Sequence, residues 1–171
     1  KRHTKPIGID VGLTTLATLS TGQKFPNIQP QKTLQSRLKR AQRVLARRQK
    51  GSNRRAKARL EVARVYEKIT NVRENHLHQV SSAIVRKNHA TIALEDLAIS
   101  GMVRNRKLSR AISDAGWASL LKKIEYKQQW RGGEVLKVGR YFPSSKLCSA
   151  CGFLNETMPL SVRTWKCACG V

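Results

Sequence analysis

Four cysteines are the residues of this chain whose type and spacing most directly suggest chemistry. They occur as two close pairs, Cys148-Ser149-Ala150-Cys151-Gly152 and Cys167-Ala168-Cys169-Gly170, with fifteen residues between the pairs. Tetrahedral zinc takes four soft ligands, and two tight turns can each present two thiolates. A glycine directly after each pair lets the backbone fold back so that N–H groups approach the sulfurs. The second pair is C-x-C where C-x-x-C is commoner, and the competing arrangements are two disulfides, or one disulfide with two loose thiols. The charge context favours structural zinc on Cys148, Cys151, Cys167 and Cys169.

Thirty-four Lys and Arg stand against ten Asp and Glu, a formal net charge of +24 on 171 residues. Self-repulsion at that level destabilises a compact state that lacks a polyanionic partner. No acid occurs between Asp10 and Glu61, and residues 31–60 hold twelve Lys or Arg. Arg37, Arg40, Arg43, Arg47, Arg48, Arg54, Arg55 and Arg59 fall in this stretch. Placed along helices, they would line up a positive surface many phosphates long. The alternatives are a disordered basic tail or a ribosomal type of protein, and periodic apolar residues argue against the tail. No run of apolar residues is long enough for a membrane span, and no secretory h-region is visible. Paired thiols without such a signal point to a reducing cytoplasm.

The elements that must position these groups are legible in outline. Pro6 to Asp10 reads as a buried strand, Leu13 to Ser20 as a second, and Lys24 to Ile28 as a third after the turn at Thr21-Gly22-Gln23. Leu34, Leu38, Ala41 and Leu45 then recur at helical spacing until Gly51-Ser52-Asn53 interrupts. A longer helix over about 54–87 follows, its apolar stripe read as Val65, Ile69, Val72, His76, Val80 and Ala83. His76 on that stripe reads as a satisfied interior histidine. Thr91 to Leu97 is a fourth strand with Glu95 at its carboxyl end, and 98–112 reads as polar loop. Ser113 or Asp114 is the expected N-cap of a helix carrying Trp117, Leu120, Leu121, Ile124 and Gln128, stopped by Gly132-Gly133. Glu134 to Arg140 alternates as a last strand, and Leu160 to Trp165 suits one arm of a small hairpin.

Strand, strand, strand, helices, strand, helix, strand is the ribonuclease-H-like order, in which the first and fourth strands are central neighbours. That fold sets an acid in strand one beside an acid at the end of strand four, the positions of Asp10 and Glu95. Paired carboxylates repel unless a cation lies between them, and hard oxygen ligands suit Mg²⁺ or Mn²⁺. Two such ions about 3.5–4 Å apart would serve phosphodiester cleavage. Taken alone, the two acids fit a pair of ordinary surface carboxylates equally well.

Longer motifs add a resemblance. Pro6-Ile7-Gly8-Ile9-Asp10-Val11-Gly12-Leu13 and Ile92-Ala93-Leu94-Glu95-Asp96-Leu97 resemble the first and second RuvC motifs of the TnpB (OrfB) proteins of bacterial and archaeal insertion sequences. Ser113-Asp114-Ala115-Gly116-Trp117, and Phe142-Pro143-Ser144-Ser145-Lys146 running into the first cysteine pair, are similar to the same family. The resemblance implies an RNA-guided DNA endonuclease related to compact type V CRISPR effectors, long described as a transposase, with guide RNA and DNA as partners. It implies catalytic roles for Asp10 and Glu95 with Mg²⁺ or Mn²⁺, and zinc on the four cysteines. The expected fold class is α/β: a RuvC core from residues 1–30 and 91–145, a basic helical hairpin over 31–90, and a zinc ribbon over 146–171. The family's third acid lies in an Asp-Arg-Asp-type motif after the last Cys-Gly. The expectation is therefore of a fragment that lacks it and cuts weakly or not at all, with neither Asp96 nor Asp114 as a substitute. The other reading is a non-catalytic nucleic-acid-binding zinc protein, a transposase remnant or ribosome-associated factor.

Overall fold

The computed structural model describes residues 6–171 except Asn88, Arg140, Tyr141, Ser144, Ser145, Ser149, Met158, Leu160, Ser161 and Arg163. It divides into two compact units, Lys1–Val138 and Gly139–Val171. The hairpin arm expected over Leu160 to Trp165 falls partly on residues outside the described ones, as does the Arg140 end of the last strand.

The larger unit is built on a mixed sheet of β1 (Ile7–Val11), β2 (Thr15–Leu19), β3 (Lys24–Pro26), β4 (Thr91–Glu95) and β5 (Glu134–Val138). Their order is β3-β2-β1-β4-β5. The first three form an antiparallel meander, while β4 runs parallel to both β1 and β5. The first and fourth strands are thus the parallel neighbours that the element order predicts. Alternation sets the faces: Ile7 and Ile9 of β1 and Ile92 and Leu94 of β4 are buried, with Ala17 and Leu19 of β2 in the same phase beside them.

Helices α1 (Pro30–Thr33), α2 (Gln35–Ala46), α3 (Asn53–Val85), α4 (Ile99–Met102), α5 (Ser109–Ala115) and α6 (Trp117–Trp130) complete the unit. The 33 residues of α3 span about 50 Å. Its start is capped by Ser52, whose Oγ accepts from the Arg55 amide at 3.2 Å. The outer half packs Val65 and Ile69 against Leu38 of α2. The inner half packs Leu77, Val80, Ile84 and Val85 onto the sheet with Trp117, Leu120 and Ile124 of α6.

Three local expectations are corrected. The stripe of α3 continues through Leu77, Ser81 and Ile84, not through Val72 and Ala83, which are exposed. The helix changes partner midway, from α2 to the sheet and α6, so its buried face rotates. His76 is half-buried and its Nε2 lies 2.9 Å from the Pro26 carbonyl, which suits the satisfied histidine expected there. Residues 98–112 are not a plain loop, since they contain α4 and most of α5. Finally, neither Ser113 nor Asp114 caps α6, because both lie inside α5 and the α6 cap is Gly116 in the left-handed region at φ 69°. That conformation suits glycine and separates the two helices without a longer turn. Asp114 is 4 % exposed and serves another helix: its two oxygens accept from the Gln31 and Lys32 amides of α1 at 2.9 and 3.1 Å.

Among the described residues, no helix is long and apolar enough to cross a membrane. The corrected stripe yields a direct test. Ile84→Ala should lower unfolding free energy by about 2–5 kcal/mol, whereas Val72→Ala should change it by less than about 0.5 kcal/mol. Urea unfolding followed by circular dichroism reads both, and equal losses would refute the observed facing of α3.

Candidate functional site

Asp10 is the fourth residue of β1 and Glu95 the last of β4. Ile9 pairs with Leu94 across the two parallel strands, so the next step in register sets Asp10 beside Glu95. Both occupy the exposed phase of their strands, opposite the face on which Ile9 and Leu94 meet the core. Partial burial raises the Asp10 carboxyl above its ordinary 3.8, with the Val11 backbone N–H acting in the other direction. Burial also raises Glu95 above its ordinary 4.5, and the Asp10 charge raises it further. This mutual repulsion marks a place where a hard divalent cation is electrostatically suited.

The chain on either side of the pair is restrained. After Asp10, the Gly12 carbonyl accepts from the Trp117 indole Nε1 at 3.2 Å, tying the exit of β1 to the start of α6. After Glu95, the Asp96 amide donates to the Val138 carbonyl at 3.1 Å and prolongs the β4–β5 ladder. Sequence reasoning placed Trp117 on the apolar stripe of its helix and within a family motif, but gave its indole no partner. A buried indole N–H needs an acceptor, and that requirement was the available signal.

In the smaller unit the four cysteine sulfurs lie within 4.8 Å of one another and all four are free thiols. Two contacts cross between the pairs, Cys148 to Cys169 and Cys151 to Cys167, each 3.5 Å. Metal–sulfur bonds of about 2.3 Å in a tetrahedron place sulfurs about 3.8 Å apart. The donor set therefore fits one metal ion. Gly152 and Gly170 take positive φ of 73° and 94°, and their amides donate to the Cys148 and Cys167 carbonyls, each at 3.0 Å, closing the two knuckles. The Cys151 and Ala150 amides lower Cys148 to about 6. Although the Val171 amide lowers Cys169, the neighbouring thiols push it up to about 12. The Cys148 thiolate forms readily, whereas Cys151 and Cys169 are held above the ordinary thiol value and resist ionisation without a cation nearby. An antiparallel bridge between Leu147 and Leu154 frames the first knuckle.

Seven of the eight arginines singled out from the sequence, Arg37, Arg40, Arg43, Arg47, Arg48, Arg54 and Arg59, are exposed on or next to α2 and α3. None of the eight has an ion-pair partner among the described residues. Arg40, Arg43 and Arg47 line an open depression on α2 together with Lys39. Arg55 differs. It is half-buried, and its Nη1 donates to the Leu45 and Arg48 carbonyls, both at 3.0 Å, capping the end of α2.

Comparison with known proteins places this geometry in context. The family model OrfB_IS605, described as "Probable transposase", matches residues 1–106, and the model of the Cas12f1-like TNB domain matches residues 117–171. A Streptomyces pristinaespiralis protein described as "Putative RNA-guided DNA endonuclease" is 47% identical over 167 residues, which are 98% of this chain and 41% of that protein. InsQ of Escherichia coli (strain K12), of the same description, is 36% identical over 176 residues, covering 94% of this chain and 43% of InsQ. The chain thus spans about two-fifths of the length of these relatives. The fold matches that of Cas12f1 in a complex with sgRNA and target DNA, at TM-score 0.63 and 19% identity over 96% of this chain and 45% of that one. A CRISPR-Cas12f ternary complex matches at TM-score 0.63 and 22% identity, over 98% of this chain and 36% of that one.

The raised carboxyls make a pH prediction. An acid whose folded pKa is raised binds its proton more tightly in the folded state. Its destabilising effect is absent below the ordinary value and fully present above the raised one. Asp10→Asn and Glu95→Gln should each raise the Tm of the metal-free chain near neutral pH. The gain should vanish as pH falls below the ordinary 3.8 of Asp10 and 4.5 of Glu95 respectively. Thermal scans across that range read the effect, and a gain independent of pH would contradict it.

Proposed function

The chain belongs to the IS605 OrfB family, and from that membership we propose that it is the RuvC-like core of an RNA-guided, divalent-metal-dependent DNA endonuclease. The observation that carries this reading is the juxtaposition of Asp10 and Glu95 on one exposed face of adjacent parallel strands, where burial first and the Asp10 charge second raise the Glu95 carboxyl. In this assignment residues 1–30 and 91–145 form the nuclease core, 31–90 the basic hairpin, and 146–171 the zinc ribbon. Action in a bacterial or archaeal cytoplasm, on DNA selected by a guide RNA, belongs to the same reading.

Asp10 and Glu95 would hold Mg²⁺ or Mn²⁺. Such ions, when bound, activate water and stabilise the leaving oxygen in phosphodiester cleavage. The protein's own part is to hold the two carboxyls adjacent, at a place where burial and mutual repulsion oppose their joint ionisation until a cation compensates. The β1–β4 register fixes their separation along the strands, and the Trp117 to Gly12 hydrogen bond holds the backbone that follows Asp10. The exposed arginines of α2 and α3 would bind phosphate without reading bases, since guanidinium groups spaced along a helix contact the backbone of a nucleic acid. Zinc on Cys148, Cys151, Cys167 and Cys169 would be structural, as four protein thiolates leave no open coordination position.

Two measurements test these assignments. In the full-length protein loaded with guide RNA, Asp10→Ala and Glu95→Ala should each reduce Mg²⁺-dependent DNA cleavage on the order of a hundredfold or more. Nucleic-acid binding should persist, and Mg²⁺ should raise the Tm of the parent but not of the variants. A double variant that cuts at the parent rate would overturn the assignment, and binding without cutting by the parent would favour a non-catalytic nucleic-acid-binding protein. For the ribbon, elemental analysis should give close to one zinc per chain. Cys148→Ser or Cys167→Ser should lose the metal and unfold the small unit, because structural zinc contributes about 10–16 kcal/mol of apparent binding energy in modules of this size. Full zinc retention by both variants would reject that role.

A further inference from the structure

The segment expected to be loop, 98–112, contributes one wall of a cleft away from the helical arginines already described. Its other wall is the start of the hairpin. Lys32 stands on one side and Arg106, Lys107 and Arg110 on the other, around a cavity of about 550 Å³ also lined by Gln31 and Gln35. The four cations have no ion-pair partner among the described residues. The one acid in the lining, Asp114, is already engaged: it accepts from the Gln31 and Lys32 amides and lies 3.9 Å from the Arg73 guanidinium.

This acid also makes the cleft a built feature. Asp114 is 4 % exposed, and its bonds join α5 to the first turn of the hairpin across some eighty residues of sequence. Arg73 of α3 reinforces the joint by donating to the Ser113 carbonyl at 3.4 Å. The walls are therefore held apart at a set distance before any ligand arrives, which lowers the ordering cost of binding.

We propose that this cleft binds an unpaired stretch of polynucleotide, with Lys32, Arg106, Lys107 and Arg110 on its phosphodiesters and the Gln31 and Gln35 amides available to base edges. Four unpaired cations around a preformed cavity fit a ligand with repeated negative charge. Its volume lies within the roughly 300–1,000 Å³ of clefts that enclose small ligands. That favours a nucleotide or two of a single strand over a duplex, which needs an extended surface. The choice of a polynucleotide as ligand rests on the proposed function; the cleft and its charge do not.

The test compares Arg106→Glu/Lys107→Glu/Arg110→Glu with a control of equal charge change, Lys24→Glu/Lys68→Glu/Lys87→Glu, at exposed lysines outside both the cleft and the arginines assigned to phosphate. Fluorescein-labelled thymidine and uridine oligomers of about six nucleotides, within the site sizes of single-strand binders, are titrated by anisotropy over a range of salt. The cleft variant should bind at least about tenfold more weakly than the control. Its slope of log affinity against log salt should be shallower by about 0.7 for each phosphate that the variant no longer neutralises. Stronger binding of the uridine oligomer assigns the site to RNA, stronger binding of the thymidine oligomer to DNA, and equal binding to the backbone they share. Equal weakening in both variants would mean diffuse attraction and overturns the proposal, as does an undiminished affinity in the cleft variant. Tm values within a few degrees of the parent verify folding, and Lys32→Gln supplies an independent variant on the opposite wall with the same expected direction. Because the readout is binding of short oligomers, this proposal can fail while the cleavage assignment of Asp10 and Glu95 stands, and the reverse.

Discussion

The parallel pairing of β1 with β4 is the constraint on which the rest of the larger unit depends. A parallel partner cannot be reached by a tight turn, so the chain must travel away and return. Here it leaves through a two-hairpin meander, runs out along α2 and comes back along α3 before entering β4. The return helix is also what buries the sheet, through Leu77, Val80, Ile84 and Val85. One excursion thus supplies the crossover, half of the core and a basic arm. The same register that buries Ile9 beside Leu94 leaves Asp10 beside Glu95 on the opposite face, so core packing and site geometry are set by one alignment.

Electrostatics divides the molecule in a second way. Of ten acids, Glu61, Glu74, Asp114 and Glu125 are engaged in ion pairs with basic side chains. Those that involve Glu74 and Asp114 sit between elements and hold them together. Glu74 of α3 accepts from Ser119 and Lys123 of α6, and Asp114 joins α5 to α1 and α3. Lys127 adds a cationic clamp, donating to His78, Ser81 and Ser82 of α3 at 2.7–2.9 Å. The remaining positive charge lies largely on exposed helix faces, where it repels itself until a polyanion screens it. On the proposed function, stability and nucleic-acid affinity would be coupled, because binding would remove a repulsion that the free chain carries.

The small unit follows a different logic. Among its described residues it has one β-bridge and no regular helix or strand, so little backbone pairing or apolar burial holds it. Four converging thiols and two glycine-closed knuckles take the place of a core. Four sulfurs held within 4.8 Å of one another form an arrangement that a single cation would bridge, which is why metal binding and folding are one event in small four-cysteine modules.

Several of these features were written in the sequence. Ile7 and Ile9 on one face located β1, and a run of apolar, β-prone residues ending in acids located β4, because a strand with a buried face must supply apolar side chains to it. The spacing of Trp117, Leu120, Leu121, Ile124 and Gln128 announced α6, and all of these but the half-buried Leu121 are buried. The cysteine pairs announced a metal-sized cluster. What the tertiary structure alone decided concerns groups whose partners are remote in sequence. The stripe of α3 turned away from Val72 and Ala83 because the helix passes from one neighbour to another, which no single period describes. Asp114 resembled a local N-cap but caps α1, and Arg55 resembled a phosphate ligand but closes the end of α2. Residues 98–112 are too polar to show a strong apolar period, yet docking against the core makes two short helices of them. Local periodicity reports which face a segment must bury; only the assembled fold determines which distant group a polar side chain will meet.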